Sequence, residues 1–223
     1  MTREFEWPEF VYLVSALRWT FLLSAVAFLG GGLMGFVTAL ARSSGLPALR
    51  WPAAIYIGLF QGTPLLMQLF LVFYGLAVLT GIRIDPWPAA VLAFTLYSGA
   101  FLGEIWRGAI EAVPRTQWEA AETLALTRFA QLQHVILPQA FRIAIPPTVG
   151  FLVQLIKGTS VASIIGFVEL ARAGTLIVNV TFQPTVVYPV VALLYFCVCW
   201  PLSLLAFRLE RKIDADIGTR RTA

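Results

Sequence analysis

The sequence contains few charged residues, a single histidine and two cysteines. Charged residues make up 13% of its 223 residues and apolar residues 59%, whereas soluble domains carry roughly 25% charged residues. Because such a chain cannot cover a water-facing surface with polar groups, we expect lipid to surround it. His134 alone cannot form a multi-histidine metal centre, and Cys197 and Cys199 would point to different sides of one helix. The sequence therefore predicts no metal, no cofactor and no disulfide framework.

The sequence also lacks the motifs of nucleotide-hydrolysing and catalytic sites. No G-x-x-x-x-G-K-[ST] motif occurs, which argues against ATP hydrolysis at a P-loop in this chain. The glycines from Gly30 to Gly35 match G-x-G-x-x-G in form, but no strand precedes them and no acidic residue follows about 20 positions later. Gly31 and Gly35 instead favour the close packing of two membrane helices. Since no His/Asp/Ser constellation is found either, we expect a protein that is not an enzyme.

Long stretches without charge predict membrane-spanning helices. They run from Trp19 to Ala41, Trp51 to Ile82, Pro86 to Gly103 and Ala173 to Phe207, and from Ile143 to Val168 with only Lys157 as an interruption. Each can hold the roughly 20 residues that cross a hydrocarbon core about 30 Å thick. We predict an all-α integral membrane protein with one transmembrane domain over residues 1–223. Its five spans are expected near 17–41, 54–79, 87–106, 147–168 and 187–207.

The basic residues predict the orientation of these spans. With the N-terminus outside, most of the sixteen Lys and Arg residues fall in inner loops and in the C-terminal tail, which is the bias of cytoplasmic segments. The prediction is N-out and C-in. A cleaved signal peptide is disfavoured for the first span, because Glu4, Glu6 and Glu9 precede it and its apolar run is too long.

One polar segment, residues 107–142, lies in the cytoplasm in this topology. Pro114 interrupts the chain, and a helix is expected to follow with Thr116 as its N-cap and Glu119 three residues later. A second helix is indicated by apolar residues at helical spacing, which Pro138 would break or kink. These apolar residues are Phe129, Leu132, Ile136 and Ala140. We expect two short helices that are presented to a partner inside the cell.

The same segment resembles the cytoplasmic loop of ABC-transporter permeases that is named after its Glu-Ala-Ala sequence. The residues at the family's spacing are Glu119, Ala120, Ala121, Ala125, Val135, Leu137 and Pro138. Ala125 stands where the family has glycine, and Val135 where it has isoleucine. Because alanine permits a straighter helix than glycine does, we expect the bend usual at this point to be reduced.

Further segments narrow the resemblance to permeases for polar amino acids, such as histidine, glutamine and arginine. They are residues 62–69, 97–108, 137–142 and 157–160. Two positions depart from the pattern of that branch: Gln61 stands where arginine is usual, and Gly158 where an acidic residue is common. These segments occur in the family's order along most of the chain. The ordered series is therefore stronger evidence for the family than any single segment would be.

The resemblance implies a type I ABC importer permease in a bacterial inner membrane. Two such subunits, identical or paralogous, would form the pathway for a polar amino acid or a related solute. A separate ATPase would bind the cytoplasmic loop, and an extracytoplasmic binding protein would deliver the solute. The loop residues expected at the ATPase are Trp118, Glu119, Ala120, Ala121, Leu124, Ala125, Leu137 and Pro138. The alternative for residues 116–127 is a solvated amphipathic helix without a partner.

Polar residues inside the predicted spans are candidates for the pathway. Lys157 lies near a span centre, where a lysine costs roughly 2.5–3.5 kcal/mol on insertion scales. It would line the pathway or pair with a solute carboxylate or a protein carbonyl. The alternative is that it extends outward to the membrane surface or pairs with an acidic residue on a neighbouring helix to fix packing. The other candidates are Gln61, Thr63, Gln68 and Thr159. The glutamines and Thr63 could touch solute or bridge helices, and Glu169 and Arg172 could contact the binding protein or each other.

Two other function classes are compatible with an apolar helical protein. One is an ion-gradient-driven carrier that uses Lys157 and Glu104 as intramembrane charges, although we find no internal repeat of the kind common in such carriers. The other is a membrane scaffold whose cytoplasmic loop recruits a partner. Glu104, Arg107 and Glu111 lie at i, i+3 and i+7, which an ordinary salt-linked helix face also explains.

Overall fold

The long apolar stretches of the sequence form long helices. The computed structural model describes the backbone of residues 4–221 and the side chains of residues 4–213, and every regular element in that part is helical. In chain order the helices are α1 (Trp7–Ser43), α2 (Pro47–Gly62), α3 (Leu65–Thr80), α4 (Pro86–Glu111), α5 (Arg115–Thr123), α6 (Arg128–Ile165), α7 (Leu170–Thr181) and α8 (Pro184–Arg221).

Four of these helices, α1, α4, α6 and α8, are each long and apolar enough to cross a membrane. A fifth span requires α2 and α3 together, and these meet at 106°. The number of spans agrees with the prediction, but the single continuous helix expected over 54–79 is wrong. The residue before a proline is disfavoured in the helical conformation, and Thr63, which precedes Pro64, is extended with φ −120° and ψ 145°.

Several helix ends differ from the predicted spans. α1 begins at Trp7, well before residue 17, because Glu6 and Glu9 form a reciprocal capping box at its start. α6 runs from the segment predicted to be cytoplasmic into the predicted fourth span without a break. The short helix α7, which follows a left-handed turn at Gly166 (φ +90°), was not predicted. Charge gaps therefore locate the membrane-buried part of a helix better than its ends.

The expectation that Gly31 and Gly35 pack closely against another helix is confirmed. The neighbouring helix is α4, and a Cβ atom added to Gly31 would lie 2.4 Å from Cβ of Ser98. A Cβ atom on Gly99, across the same interface, would lie 2.6 Å from the hydroxyl oxygen of Tyr56. That hydroxyl donates to the carbonyl oxygen of Leu96, so α2 is attached to the pair.

Apolar clusters among the described residues hold the helices together at different levels of the bundle, and the smallest of them joins α6 to α8 through Val153, Ile156 and Cys199. The largest lies between α1, α3, α4 and α6, and includes Leu23, Leu69, Phe94, Leu102 and Phe151. The second joins α1, α7 and α8, and the third packs the end of α4 against α6 beneath α5. The third cluster therefore supports the segment in which the Glu-Ala-Ala sequence lies.

Candidate functional site

Helix α5 carries the Glu-Ala-Ala sequence and has nine residues. It begins at Arg115, and Pro114, with φ −53° and ψ 139°, occupies the N-cap position. The predicted N-cap at Thr116 is therefore wrong, because Thr116 already lies inside the first turn. No side chain caps this helix end; the carbonyl of Pro114 instead accepts from the backbone nitrogen of Gln117 at 2.9 Å.

The residues of α5 divide between two faces. Ala121 is buried and Trp118 is half-buried against the third apolar cluster, which includes Val113 and Ile136. The side chains of Glu119, Ala120 and Leu124 are exposed, Leu124 by 73%. Trp118 and Ala121 thus attach the helix to its own chain, whereas Glu119, Ala120 and Leu124 form a surface free of intrachain packing.

The turn that ends α5 depends on Ala125. Its φ is +52°, a left-handed conformation that glycine adopts most easily. The backbone nitrogen of Ala125 donates to the carbonyl of Glu122 at 2.9 Å, and that of Leu126 to Ala121 at 3.3 Å. These two bonds define a Schellman motif. The expected straightening at Ala125 is therefore wrong, because alanine keeps the bend that the family glycine would allow.

Helix α6 starts next to this turn with an irregular segment. The hydroxyl of Thr127 accepts from the backbone nitrogen of Ala130, and residues Gln131–Ile136 form a π-helical turn. This wider turn changes the helical register, so that Ile136 is buried while Phe129, predicted on the same face, is 75% exposed. Leu137 is half-buried and Pro138 exposed directly after it.

Side-chain hydrogen bonds of two glutamines connect α5 to α6. The side-chain amide of Gln139 donates to the side chain of Gln117 at 3.2 Å and to the carbonyl of Val135 at 2.8 Å. The side-chain amide of the buried Gln131 donates to the carbonyl of Leu126 at 2.9 Å. The Glu-Ala-Ala helix is thereby tied to the membrane-spanning helix α6 by side chains as well as by the chain itself.

The predicted charge stripe on α4 forms a salt-linked group. The Arg107 guanidinium donates from Nε to Glu104 at 2.9 Å and makes a second bond to the same carboxylate. It also pairs with Glu111. This arrangement agrees with the interpretation of an ordinary salt-linked face, because both carboxylates are engaged by the same guanidinium.

The pathway candidates on the second span surround its break. The side-chain amide of the buried Gln68 donates to the carbonyl oxygens of Phe60 and Thr63, at 2.8 and 3.0 Å, and to the Thr63 hydroxyl. Gln68 and Thr63 therefore join α2 to α3 across the bend, while Gln61 is exposed. A Cβ atom on Gly158 would lie 3.7 Å from Leu65, so this break adjoins the end of α6.

The two candidates on α6 are placed differently. Lys157 is exposed in the single chain, and it lines an open groove beside α8 with Tyr195, Cys199 and Ser203. No carboxylate among the described residues forms an ion pair with it. Thr159 is fully buried and donates to the carbonyl oxygen of Ile156 at 2.7 Å, so it is closed to a solute in this conformation.

A buried polar network near Thr159 was missed from the sequence. Glu169 is fully buried, and its carboxylate accepts from the backbone nitrogens of Ala171 and Arg172, at 2.9 and 2.8 Å. It also accepts from the Tyr195 hydroxyl at 2.7 Å. Glu169 therefore caps α7 and joins it to α8, and offers no side-chain atom to a protein outside. The signal in the sequence was a carboxylate just ahead of a helix, where N-caps occur.

Comparison with known proteins identifies the family. The family described as "Binding-protein-dependent transport system inner membrane component" matches residues 31–218. The L-cystine transport system permease protein TcyB of Bacillus subtilis is 41% identical over 95% of this chain and 89% of its own length. The glutamine transport system permease protein GlnP of Escherichia coli is 32% identical over 93% and 95%.

Solved structures agree with these relatives. A crystal structure of an amino acid ABC transporter with histidines has a TM-score of 0.85 and 34% identity, over 90% of this chain and 94% of that one. An inward-facing methionine ABC transporter, MetNI, has a TM-score of 0.80 at 18% identity, over 94% and 99%, which supports the fold. This chain therefore belongs to the inner-membrane permease components of binding-protein-dependent ABC importers, a family of multi-pass bacterial transport subunits that are not enzymes and work with a solute-binding protein and a separate ATPase.

Proposed function

We propose that this chain is a single permease domain that carries a polar amino acid or a related solute across the membrane. Two such subunits, identical or paralogous, form the pathway, and the N-terminus lies outside. The relatives named above for L-cystine and glutamine support this solute class. The single observation that carries the proposal is the exposed face of α5, because a surface of small and apolar residues with one carboxylate suits close contact with another protein.

The proposed contact with the ATPase consists of Glu119, Ala120, Leu124 and the turn at Ala125. Ala120 allows a close approach, exposed Leu124 supplies an apolar contact, and Glu119 supplies a charge. The third apolar cluster holds α5 in place through its contacts with Trp118, Ala121 and Leu137. Pro138 follows the π-turn of α6. A movement of the ATPase would then reach the membrane as a rigid-body motion of α6.

Lys157 supports the proposal of a second subunit and a pathway beside α8. It is exposed in the single chain, yet a lysine in contact with lipid at this depth is costly. The apolar helix α8 is itself little covered, with 11% of its most apolar stretch buried. We infer that the groove between α6 and α8 faces protein and solute. The other candidates lie at the break between α2 and α3, which holds Gln61, Thr63 and Gln68, and near the end of α6, which holds Thr159.

Replacing Glu119 with Lys tests the proposed ATPase contact. We expect the cognate ATPase to dissociate from the complex and solute uptake in proteoliposomes to fall at least tenfold, because the carboxylate is replaced by the opposite charge at the contact. Glu4→Lys makes the same charge change at the other end of the chain and should leave both measurements unchanged. Normal ATPase association and normal uptake in Glu119→Lys would refute the proposal.

The solute class needs a separate experiment. The binding protein of the same transport system should be titrated with the twenty common amino acids and with L-cystine. Binding of a polar amino acid or L-cystine, together with its ATP-dependent uptake by the reconstituted complex, is the expected result. A binding protein that takes only sugars or metal ions would contradict the solute class while leaving the ATPase contact intact.

A further inference from the structure

A basic cavity lies at the cytoplasmic ends of the helices, next to but distinct from the exposed face of α5. Its volume is about 630 Å³. Five arginines and two glutamates line it, together with serines, Trp118 and two aliphatic residues. The charged residues are Arg42, Arg50, Arg107, Arg115, Arg128, Glu111 and Glu122. They come from α1, α2, α4, α5 and α6, so the cavity is built by the fold and not by one stretch of sequence.

The positive charge in this cavity is only partly compensated, although Glu104 interacts electrostatically with Arg42 as well as with Arg107. Glu111 and the neighbouring Glu104 both pair with Arg107. Among the described residues, no carboxylate lies within salt-bridge distance of the other four arginines. Glu122 is the remaining carboxylate in the lining. Four guanidinium groups around one free carboxylate favour an anion in the cavity.

Two buried polar atoms of residues that line the cavity are available to bind a ligand. The Nε atom of Arg42 and the hydroxyl of Ser43 are both buried and have no hydrogen bond partner. Buried polar groups in folded proteins are almost always satisfied, and exceptions call for an explanation such as an absent water or ion. Phosphate oxygens accept hydrogen bonds from both kinds of group, and guanidinium groups match phosphate geometry in a bidentate manner.

An apolar groove continues from the cavity along the same helices. It has a volume of about 430 Å³ and shares Ile110 with the cavity. Its lining includes Leu40 and Phe36 of α1, about one and two turns before Ser43, and on α6 it extends from Leu137 to Val149. At a rise of 1.5 Å per residue this length is about 18 Å, and the lining is almost entirely apolar, as an acyl chain requires.

We propose that the cavity and the groove together bind one anionic phospholipid of the cytoplasmic leaflet. The phosphate and headgroup occupy the arginine cavity, and one acyl chain lies in the groove between α1, α4 and α6. A free phosphate would use only the cavity and would leave the groove without an occupant. Because Arg115, Trp118 and Glu122 belong to α5, the bound lipid also supports the helix that faces the ATPase.

Lipid binding to the purified chain tests this proposal without the ATPase or a solute, so its failure and that of the proposed function are distinguishable. Phosphatidylglycerol and phosphatidylcholine with the same acyl chains should be titrated into the detergent-solubilised protein, with thermal stability as the readout. We expect phosphatidylglycerol to bind more tightly. The variant Arg42→Gln/Arg50→Gln should bind it about 25-fold more weakly, since each arginine near an anionic lipid contributes roughly a factor of five.

Three controls separate the specific site from its alternatives. Arg142→Gln/Arg208→Gln removes the same charge from exposed positions outside the cavity and should change the affinity less than about twofold. Val149→Trp fills the groove and should weaken lipid binding, with Val149→Phe as a milder replacement if the first variant does not fold. Inorganic phosphate at millimolar concentration should not displace the lipid.

The opposite outcomes overturn the proposal. An equal loss in both double arginine variants would indicate general surface electrostatics. Displacement by inorganic phosphate would indicate a free-anion site, and unchanged binding in the folded groove variant would exclude the acyl chain from the groove. Equal affinity for phosphatidylcholine would remove the requirement for an anionic headgroup.

Discussion

Gly35 and Gly103 pack so closely that a Cβ atom added to Gly35 would lie 2.9 Å from the backbone nitrogen of Gly103. Cβ atoms essentially never approach a backbone this closely, so Gly35 requires the absence of a side chain. A Cβ atom on Gly103 would lie 3.1 Å from Cβ of Thr38, which would have to shift. With Gly31 and Gly99 these two glycines form a stripe along which α1 and α4 are in backbone contact. This stripe sets the distance between the first and third spans.

The close packing predicts that Gly31→Val is destabilising. Its new Cβ atom would meet Ser98 at 2.4 Å, and overpacking of this kind costs about 1–3 kcal/mol. For a chain of this size each kcal/mol corresponds to about 2–4 °C in melting temperature, measurable in detergent. Gly32→Ala on the same helix is the control, since its Cβ atom would lie 3.6 Å from Trp106. Equal melting temperatures for the two variants would contradict this packing.

The left-handed residue after α5 predicts a stabilising substitution. Ala125→Gly should raise the free energy of unfolding by about 1 kcal/mol. A left-handed conformation costs a non-glycine residue roughly 1–2 kcal/mol, and the larger entropy loss of glycine on folding offsets only part of this gain. Ala125→Val should lower it, because branched residues are strongly disfavoured at positive φ. Thermal unfolding of the two variants measures the difference. A less stable glycine variant would show that Ala125 is not left-handed in solution.

The buried carboxylate of Glu169 predicts an energetic coupling with Tyr195. Tyr195→Phe removes the hydroxyl donor, whereas Glu169→Gln leaves an uncharged acceptor. A hydrogen bond to a charged group is worth about 1.5–3 kcal/mol, and one between neutral groups about 0.5–1.5 kcal/mol. The double variant should therefore be more stable than the sum of the single losses implies, by more than about 0.5 kcal/mol. A double-mutant cycle from thermal unfolding measures this. Strict additivity would mean that the two side chains do not interact.

The sequence predicted the spans and the helix contacts that depend on composition and spacing. Charge gaps located α1, α4, α6 and α8 because a charge in lipid is costly, and the spacing of Gly31 and Gly35 predicted their packing. The bend at Thr63 was hidden inside one long uncharged stretch, although Pro64 marked its position. Hydropathy records how apolar a segment is, whereas its direction depends on local backbone conformation.

The site was predicted in position but not in the orientation of its side chains. The family spacing located α5, yet it could not show that Trp118 and Ala121 turn inward while Leu124 turns outward. The π-turn at Gln131–Ile136 moved Phe129 off the expected face, because a wider turn adds a residue to the repeat. Glu169 was expected at a surface since its partners, Tyr195 and the start of α7, come from later in the chain.

The break at Thr63 also bears on how the protein enters the bilayer. Helix α2 has 16 residues and is about 24 Å long, shorter than the roughly 30 Å of hydrocarbon that a spanning helix must cross. Its partner arm is of similar length, so neither half is a stable insertion unit by itself. We expect the two arms to be integrated together, because the side-chain amide of Gln68 joins them across the bend. Biogenesis of the second span is then an assembly step between helices and not the independent partitioning of one hydrophobic segment.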